Sequence, residues 1–301
     1  MLVKLEKKAF GLLLYISVNT VMLLTGCSNS PQTKRHSAGG DTPGVEKGAA
    51  DTVPKAVMPK KDSSHQFAWD STSYDTSKCY IYLTFDDGPQ NGTMNCYHIV
   101  KDLGIKATFF MVGMHADDRA LRNIVDSIRD GYPEILLANH SFTHANNKYH
   151  YFYDHPEMAM EDFLKAQESL QVPFKIIRLP GNSAWVREGE VRASKLVKPV
   201  TLLLDSLQYN VIGWDVEWNF NHKTARPVQS VTSMLKLVEE AMNRGESHTK
   251  KHVVILSHDR MFRHPEDADS LYNFINTLKQ NPRYVFETIT SYPKLKTPGS
   301  N

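Results

Sequence analysis

From residue 67 onward, short apolar runs alternate with segments in which apolar residues recur at helical spacing. The run at 80–85 (Tyr-Ile-Tyr-Leu-Thr-Phe) is rich in aromatic and branched residues, which favours a strand. Further short runs predict strands at 107–112, 134–138, 174–178, 209–214, 253–256 and 284–286. Between them, patterns that include apolar residues three and four positions apart predict helices at 94–103, 121–128, 158–170, 188–197, 231–242 and 271–278.

This alternation of strands and helices predicts a mostly parallel sheet with helices packed outside it. We expect an α/β fold, a distorted (β/α) barrel of about seven units that resembles a TIM barrel. Six or seven units suit a barrel better than a flat sheet, but periodicity alone leaves the closure of the barrel open. In parallel α/β folds the chemistry lies at the carboxyl ends of the strands. Polar residues that follow the strands are therefore expected to share one site.

The N-terminal residues have the organisation of an export signal. Lysines at positions 4, 7 and 8 precede a largely apolar stretch at 9–24, which ends in small residues and Cys27. A cysteine at this place resembles the lipidated residue of a bacterial lipoprotein. We expect residues 1–26 to be a signal peptide and Cys27 to carry lipid. An uncleaved anchor is the alternative, but polar residues interrupt a stretch shorter than the ~20 residues that span a bilayer.

The segment 28–66 differs in composition from the rest of the chain. It contains no Phe, Trp or Tyr and carries prolines at 31, 43, 54 and 59. Such a segment cannot bury enough apolar surface to order itself. We expect residues 27–66 to be the lipidated cysteine and a flexible linker, and residues 67–301 to be the catalytic domain. The lipid would attach the protein to a bacterial membrane, outside the cytoplasm.

Composition and charge narrow the classes of function. The chain has 301 residues, of which 41% are hydrophobic and 23% charged, and its net charge is +2. These values are ordinary for a globular protein and give no case for nucleic-acid binding. Nothing in the sequence indicates a protein partner. Cys79 and Cys96 could form a bridge in an exported protein, but their placement before a strand and inside the next helix favours two separate buried thiols.

Strong polar residues follow five of the predicted strands. Among them, His140 and His144 are four residues apart, so on a helix or helical turn they would lie on one face and could bind one ion. With a carboxylate from another strand end they would form a set that suits Zn²⁺ or another divalent transition ion. The full group is Asp86 and Asp87, His140 and His144, Arg178, Asp215 and Glu217, and His258 and Asp259.

The adjacent carboxylates Asp86 and Asp87 form the most informative pair. Two neighbouring carboxylates at a strand end are costly unless each has a partner or a function. Neighbouring side chains point in different directions, so one can bind metal while the other faces a substrate. A turn or a helix N-cap would explain one aspartate well, but not both.

The series of motifs closely resembles the polysaccharide deacetylases of carbohydrate esterase family four. The resemblance rests on residues 84–89 (Thr-Phe-Asp-Asp-Gly-Pro), the pair His140 and His144, Arg178-x-Pro180, and residues 256–259 (Leu-Ser-His-Asp). It covers roughly residues 78–290. It implies a distorted barrel and a metal-dependent hydrolase that removes acetyl groups from a polysaccharide.

The resemblance also implies a role for individual residues. Asp86 would be the general base, Arg178 the arginine that pairs with it, and His258 the general acid. The metal ligands would be Asp87, His140 and His144, and they would hold zinc or, as alternatives, cobalt, nickel or iron. The remaining implied roles concern substrate: a backbone N–H near Pro180 and Gly181 would hold the oxyanion, and Trp218 and Leu256 would line a pocket for the acetyl methyl group.

The fourth motif departs from the family pattern of Asp-x-x-Asp-Trp. This chain has Trp-Asp-Val-Glu-Trp at 214–218, which leaves two candidates for the carboxylate that supports Arg178 or His258. We favour Glu217 over Asp215. Asn182 also stands where the third motif often has glycine. The aromatic residues Trp185, Trp214 and Trp218 are expected either to stack on sugar or to pack in the core and rim, whereas His150, His155 and His222 are expected at the surface.

The expected substrate follows from the expected location. We predict removal of N-acetyl groups from a cell-envelope or extracellular polysaccharide, with N-acetylglucosamine of peptidoglycan as the foremost candidate. One alternative is an O-acetyl esterase that acts on xylan or a capsule glycan. Another is a sugar-binding lipoprotein that retains a relic of the site, for which the altered fourth motif is the only support.

Overall fold

Ten strands form one curled sheet in the computed structural model, which describes residues 67–69 and 73–297. The strands are β1 Cys79–Gly88, β2 Ala107–Met111, β3 Ile135–Asn139, β4 Ile176–Ile177, β5 Trp185–Arg187, β6 Glu190–Arg192, β7 Asn210–Val211, β8 Val216–Glu217, β9 His252–His258 and β10 Tyr284–Phe286. The helices are α1 Thr93–Asp102, α2 Arg119–Arg129, α3 Tyr149–Asp154, α4 Pro156–Ser169, α5 Lys198–Ser206, α6 Val231–Arg244 and α7 Pro265–Lys279.

The strand order is β6-β5-β7-β4-β3-β2-β1-β9-β8, and β10 pairs with the start of β1. All pairs are parallel except β5 with β6 and β5 with β7. In the part of the chain that the structure describes, β6 and β8 do not pair with each other, so the barrel stays open. The predicted fold class, a distorted and mostly parallel (β/α) barrel, is confirmed.

Strand β1 shows how the sequence places reactive groups. Ile81, Leu83 and Phe85 pack into one hydrophobic core, whereas Tyr80 and Tyr82 pack into another. Successive side chains of a strand point to opposite faces, so Thr84 and Asp86 share the face of the two tyrosines. Along the ladder between β1 and β9, Asp86 is the register partner of His258.

Most of the predicted elements are present with bounds close to those expected, but one prediction is wrong. Residues 188–197, predicted as helical, contain β6 and part of the turn that joins it to β5 in an antiparallel hairpin. Gly189 in that turn has a φ of 70°, a conformation that glycine adopts readily. The sequence patterns also missed α3, α5, β5 and β8, and they overestimated the lengths of β4 and β7.

The predicted signal peptide, the lipidated Cys27 and the linker to residue 66 lie outside the described residues and stay predictions. Within 67–69 and 73–297, no helix has both the length and the hydrophobicity needed to span a membrane. Cys79 and Cys96 are both free thiols, which confirms that they do not form a disulfide with each other.

Candidate active site

A cleft of about 740 Å³ gathers the polar residues that follow the strands. Six of the nine polar residues named after the strands line this cleft, whereas Arg178, Asp215 and Asp259 do not. Of the residues singled out in the sequence, the cleft is lined by Asp86, Asp87, His140, His144, Gly181, Trp214, Glu217, Leu256 and His258.

Asp86 is paired with a buried arginine. Its Oδ1 accepts a hydrogen bond from Nη1 of Arg178 at 2.8 Å, and both side chains are almost completely buried. The guanidinium also donates to the Thr84 hydroxyl at 2.6 Å and to the backbone carbonyls of Ile212 and Gly213 at 3.1 and 3.0 Å. Burial lowers the pKa of Arg178, and the charge and hydrogen bond of Asp86 offset part of this effect.

Asp87, His140 and His144 each offer one ligand atom, and these three atoms lie within 4.8 Å of one another. Oδ1 of Asp87 is 3.5 Å from Nε2 of His140 and 3.1 Å from Nε2 of His144. Nδ1 of His140 is 2.9 Å from the carbonyl oxygen of Arg178. A carbonyl can only accept, so Nδ1 carries the proton and Nε2 keeps a free lone pair. This is the arrangement that metal-binding histidines show in proteins.

Burial and charge oppose each other at these residues. Burial alone would raise the pKa of Asp87, but the nearby imidazoles of His140 and His144 outweigh it and hold the pKa well below its usual value. Burial likewise opposes protonation of His140, and the charges of Asp86 and Asp87 raise its pKa above the ordinary value. At His258 burial dominates and lowers the pKa, although Asp87 and Asp86 partly oppose this.

His140 and His144 lie on a turn and not on the face of an α-helix, which was one of the expected arrangements. His144 begins a run of four residues, 144–147, with φ between 47° and 58°. Each non-glycine residue in this left-handed conformation costs roughly 1–2 kcal/mol, so local contacts must support the turn. Ser141 accepts a hydrogen bond from the His144 amide at 3.0 Å, and Asp162 accepts from the amides of Phe142 and Thr143.

Asp87 is held in a similar way. Its φ is 74°, also in the left-handed region. Nδ1 of His115 donates a hydrogen bond to the carbonyl oxygen of Asp87 at 2.8 Å. His115 therefore fixes the backbone from which the carboxylate projects, and the sequence motifs gave no sign of this contact.

In the loop at 180–182, the two residues predicted to hold an oxyanion have different environments. Gly181 lines the cleft, and its φ is 64°. Pro180 is buried, has no N–H, and uses its carbonyl oxygen to accept a hydrogen bond from the Tyr153 hydroxyl at 2.7 Å. Of these two residues, only Gly181 can donate a backbone N–H.

The expected support of Arg178 or His258 by Glu217 is electrostatic only, because its charge acts to raise the pKa of both side chains. Glu217 lines the cleft, but among the described residues no hydrogen bond or ion pair joins it to either side chain. Nδ1 of His258 is buried without a hydrogen-bond partner, and its Nε2 is 3.9 Å from Oδ2 of Asp87. Hydrogen bonds from Arg178 to Thr84 and to main-chain carbonyls replace the expected carboxylate.

Asp215, the other candidate, is held by main-chain amides and does not line the cleft. Its two carboxylate oxygens accept hydrogen bonds from the amides of His248 and Val254, at 2.6 and 2.8 Å. Burial raises the pKa of Asp215 to about 6, although both hydrogen bonds act to lower it. Asp215 thus fastens the start of β9, and Glu217 is the carboxylate that faces the cleft.

Trp218 does not line the acetyl pocket that the resemblance implied. It is fully buried, its ring packs against Phe262 and Phe274, and its Nε1 donates to the carbonyl of Gln229 at 2.9 Å. Phe220 lies at the cleft instead, with its ring centroid 4.8 Å from that of His258. The strand β8 ends at Glu217, so strict alternation does not predict which later side chain turns toward the cleft.

Trp185 and Trp214 differ in position: one packs in the core, and the other lines the cleft, where it could contact sugar. Trp185 packs parallel to the ring of His248 at 4.0 Å and is buried, which fits core packing. Trp214 lines the cleft. His150, His155 and His222 are exposed, as expected, and His222 also lines the cleft. The cleft further includes residues that the sequence analysis did not single out: Gln90, Met114, His115, Thr143, Asn146, Asn147, Tyr149, Leu179, Asn219, Phe220 and Arg260.

Residues 73–184 match the family model whose description is polysaccharide deacetylase. This part of the chain therefore matches the polysaccharide deacetylase family. The matched segment includes Asp86, Asp87, His140, His144 and Arg178. Both the resemblance drawn from the motifs and the expected class of enzyme, a hydrolase of the polysaccharide deacetylase type, are confirmed.

Individual polysaccharide deacetylases are similar over most of the domain. The chain is 27% identical to the peptidoglycan-N-acetylglucosamine deacetylase of Bacillus cereus, with 68% of this chain and 67% of that protein covered. It is 28% identical to YheN of Bacillus subtilis, and the match spans 66% of this chain and just under two thirds, 64%, of that relative.

A solved structure of the same family shows the same fold. It is the catalytic domain of peptidoglycan N-acetylglucosamine deacetylase from Eubacterium rectale, which is 22% identical, with a TM-score of 0.54. The match covers 77% of this chain and 99% of that domain. The chain therefore shares its curled, mostly parallel sheet with that solved domain.

Proposed function

We propose that this polysaccharide deacetylase is a metal-dependent hydrolase that removes N-acetyl groups from N-acetylglucosamine residues of peptidoglycan. The observation that carries the proposal is the pairing of Asp86 with Arg178 directly beside the three potential ligands Asp87, His140 and His144. Such an arrangement places a fixed carboxylate next to a position where a water molecule and an acetyl carbonyl could meet.

The donor set fits a divalent transition ion. Two imidazole nitrogens and one carboxylate oxygen converge, Oδ1 of Asp87 is buried without a hydrogen-bond partner, and His140 is held in the tautomer that leaves Nε2 free. Zinc is the foremost candidate, with cobalt, nickel and iron as alternatives. When bound, such an ion would supply Lewis-acid polarisation of the acetyl carbonyl and a lower pKa for water.

Three residues would supply the remaining chemistry. Asp86 would accept a proton from the attacking water, and its hydrogen bond with Arg178 keeps the accepting group fixed. The backbone N–H of Gly181 would donate to the developing oxyanion. His258 would protonate the departing amine, because it lines the cleft with Nε2 near Asp87.

The acetyl methyl group requires an apolar contact beside these groups. Leu256 lines the cleft, and Phe220 takes the place that the resemblance gave to Trp218. N-acetylglucosamine of peptidoglycan is proposed because similar proteins in Bacillus cereus and Eubacterium rectale are named as peptidoglycan deacetylases.

We also propose attachment through lipid on Cys27, outside the cytoplasm, on the basis of the N-terminal sequence. Lipid attachment is tested by metabolic labelling with a fatty-acid analogue. Label on the wild-type chain that is absent from Cys27→Ala supports it, and an unlabelled wild-type chain would exclude it.

Acetate release by the full chain is the direct test of the function. The substrates are peptidoglycan, chitin oligomers and acetylxylan, each assayed before chelation, after chelation and after zinc is added back. We expect zinc-restored release from the N-acetylated substrates and none from Asp86→Asn. Release from acetylxylan alone would replace the proposal with an O-acetyl esterase, and sugar binding without release would replace it with a binding protein.

A further inference from the structure

The short helix α3 lies beside the active-site cleft and carries two tyrosines toward its surface. Tyr149 lines the cleft and also lines an adjacent hollow of about 570 Å³, which is formed by residues 147–151. Asn147 likewise lines both. The hollow therefore adjoins the cleft, and none of the catalytic roles proposed above uses it.

Tyr149 lies at the edge of the reaction centre. Its ring centroid is 5.8 Å from that of His144, at an interplanar angle of 85°. A Cβ atom placed on Gly181 would lie 3.1 Å from the same ring. Tyr149 thus packs between a proposed metal ligand and the loop proposed to hold the oxyanion, and it forms the boundary between cleft and hollow.

Tyr151 forms the outer part of the hollow and is 57% exposed. One face of its ring packs on His155, with ring centroids 4.3 Å apart. More than half of the residue is exposed, so part of the ring is accessible to a ligand. An open aromatic face next to polar side chains suits a sugar ring, whose C–H groups pack on the aromatic surface while its hydroxyls reach hydrogen-bonding groups.

The helix that carries these tyrosines is firmly anchored. Phe152 and Tyr153 are buried, and the Phe152 ring packs edge-on against Phe163 at 5.9 Å. The Tyr153 hydroxyl donates to the Pro180 carbonyl. These contacts fix α3 to the loop that also carries Gly181. A surface that is already ordered binds a ligand without an added entropic cost for its own immobilisation.

We propose that residues 147–151, here called the tyrosine subsite, bind a second N-acetylated hexosamine of the same glycan chain. The inference rests on the proposed function, because it assigns to the subsite a neighbour of the sugar that is deacetylated. Tyr151 supplies the stacking face, and the amide of Asn147 and the imidazole of His150 supply polar contacts. The subsite makes the enzyme selective for oligomers over short sugars.

Chain-length dependence tests the tyrosine subsite. The full zinc-loaded chain is assayed for acetate release from N-acetylglucosamine oligomers of two to five units. We expect kcat/KM to rise with length, and the ratio for pentamer over dimer to fall about tenfold in Tyr151→Ala, mainly through KM. Tyr151→Phe keeps the ring and should keep the ratio. Tyr272→Ala, which removes an exposed tyrosine on α7, is the matched control and should also keep it.

The outcomes separate this inference from the proposed function. Acetate release that does not depend on chain length, or a ratio unchanged in Tyr151→Ala, overturns the subsite and leaves the function standing. If no oligomer is hydrolysed, the function fails, and calorimetric binding of dimer and pentamer decides the subsite alone. Tighter binding of the pentamer that is lost in Tyr151→Ala supports it, and equal binding of the two oligomers overturns it.

Discussion

Nη1 of Arg178 donates a hydrogen bond to Oδ1 of Asp86 over 2.8 Å, in a position closed to solvent. The same guanidinium is held by the Thr84 hydroxyl and by two main-chain carbonyl groups. The orientation of Asp86 toward the cleft therefore depends on β1 and on the loop after β7, while Asp215 and Glu217 act on Arg178 through their charges and, among the described residues, form no hydrogen bond with it.

Replacement of Arg178 by lysine should separate charge from geometry. A single ammonium cannot reproduce the fork of hydrogen bonds, so we expect kcat to fall by at least about 100-fold and the free energy of unfolding to fall by about 3 kcal/mol. Steady-state kinetics and urea denaturation measure the two effects. Arg119→Lys, on the exposed start of α2, is the control. An unchanged kcat would show that the positive charge alone suffices.

Loss of one histidine should weaken metal binding without unfolding the chain. We expect His144→Ala to bind zinc at least about 100-fold more weakly than the wild type, because only two of the three proposed ligands remain. Competition with a chromophoric chelator gives the affinity, and circular dichroism checks the fold. Equal zinc affinity in the two proteins would rule out His144 as a ligand.

His115 should affect metal affinity through the backbone of Asp87. Since its Nδ1 donates to the carbonyl of Asp87, His115→Ala removes a contact that holds a left-handed residue. We expect zinc affinity to fall about 10–100-fold, the usual range for outer contacts of a metal site. His98→Ala, an exposed position on α1, provides the comparison. The same affinity in both variants would argue against a role for His115.

Two tryptophan substitutions should have opposite signatures. Trp218→Ala removes a fully buried ring and should lower the free energy of unfolding by about 3–5 kcal/mol. Trp214→Ala removes a half-buried ring at the cleft, so we expect its main effect to be a higher KM for the oligomer substrate. Thermal unfolding and kinetics on both variants test the assignment. A reversed pattern would return Trp218 to the substrate site.

Asp259 should make stability depend on pH. Burial raises its pKa to about 8, although a hydrogen bond from the Thr93 hydroxyl opposes this. The folded chain therefore keeps a proton that the unfolded chain releases near pH 4, so this residue makes the protein less stable as pH rises from about 4 to 8. Relative to wild type, Asp259→Asn should gain stability over that range, by a few kcal/mol in total.

Thermal unfolding at several pH values measures this difference. The exposed substitution Asp102→Asn is the control and should show a difference from wild type that stays constant with pH. A constant difference for Asp259→Asn as well would contradict the predicted proton uptake.

The reactive centre was predictable because each of its residues stands at or beside the end of a strand in the sequence. Asp86 and Asp87 follow an apolar strand directly, and the carboxyl ends of parallel strands meet at one edge of a sheet. His140 and Arg178 also come within two residues of the strands β3 and β4. Sequence order alone thus places these groups together, even though the residues that support them come from distant parts of the chain.

The hairpin of β5 and β6 was not predictable from its own residues. Arg187 forms an ion pair with Glu190 across the turn, but it also donates to Thr249 and to the carbonyl of Pro293. Those partners are 62 and 106 residues away along the chain. Such contacts override the local pattern that favoured a helix at 188–197.

Several of the cleft residues that were missed lie on irregular backbone. Asn146 and Asn147 belong to the left-handed run after His144, and Phe220 follows a strand of only two residues. Neither helical nor strand periodicity applies there, so sequence spacing does not reveal the direction of a side chain. Asparagine tolerates left-handed backbone well. The adjacent Asn146 and Asn147 were therefore the feature of the sequence that could have indicated the turn.

The register between β1 and β9 pairs Asp86 with His258 directly. The backbones of adjacent strands are ~4.8 Å apart, and main-chain hydrogen bonds in the centre of the sheet hold this spacing. The proposed proton acceptor and proton donor are therefore set by the architecture of the sheet, while the residues that would contact the glycan lie on loops and a short helix. In such a molecule, loops can be exchanged to recognise another sugar polymer without disturbing the distance over which protons are moved.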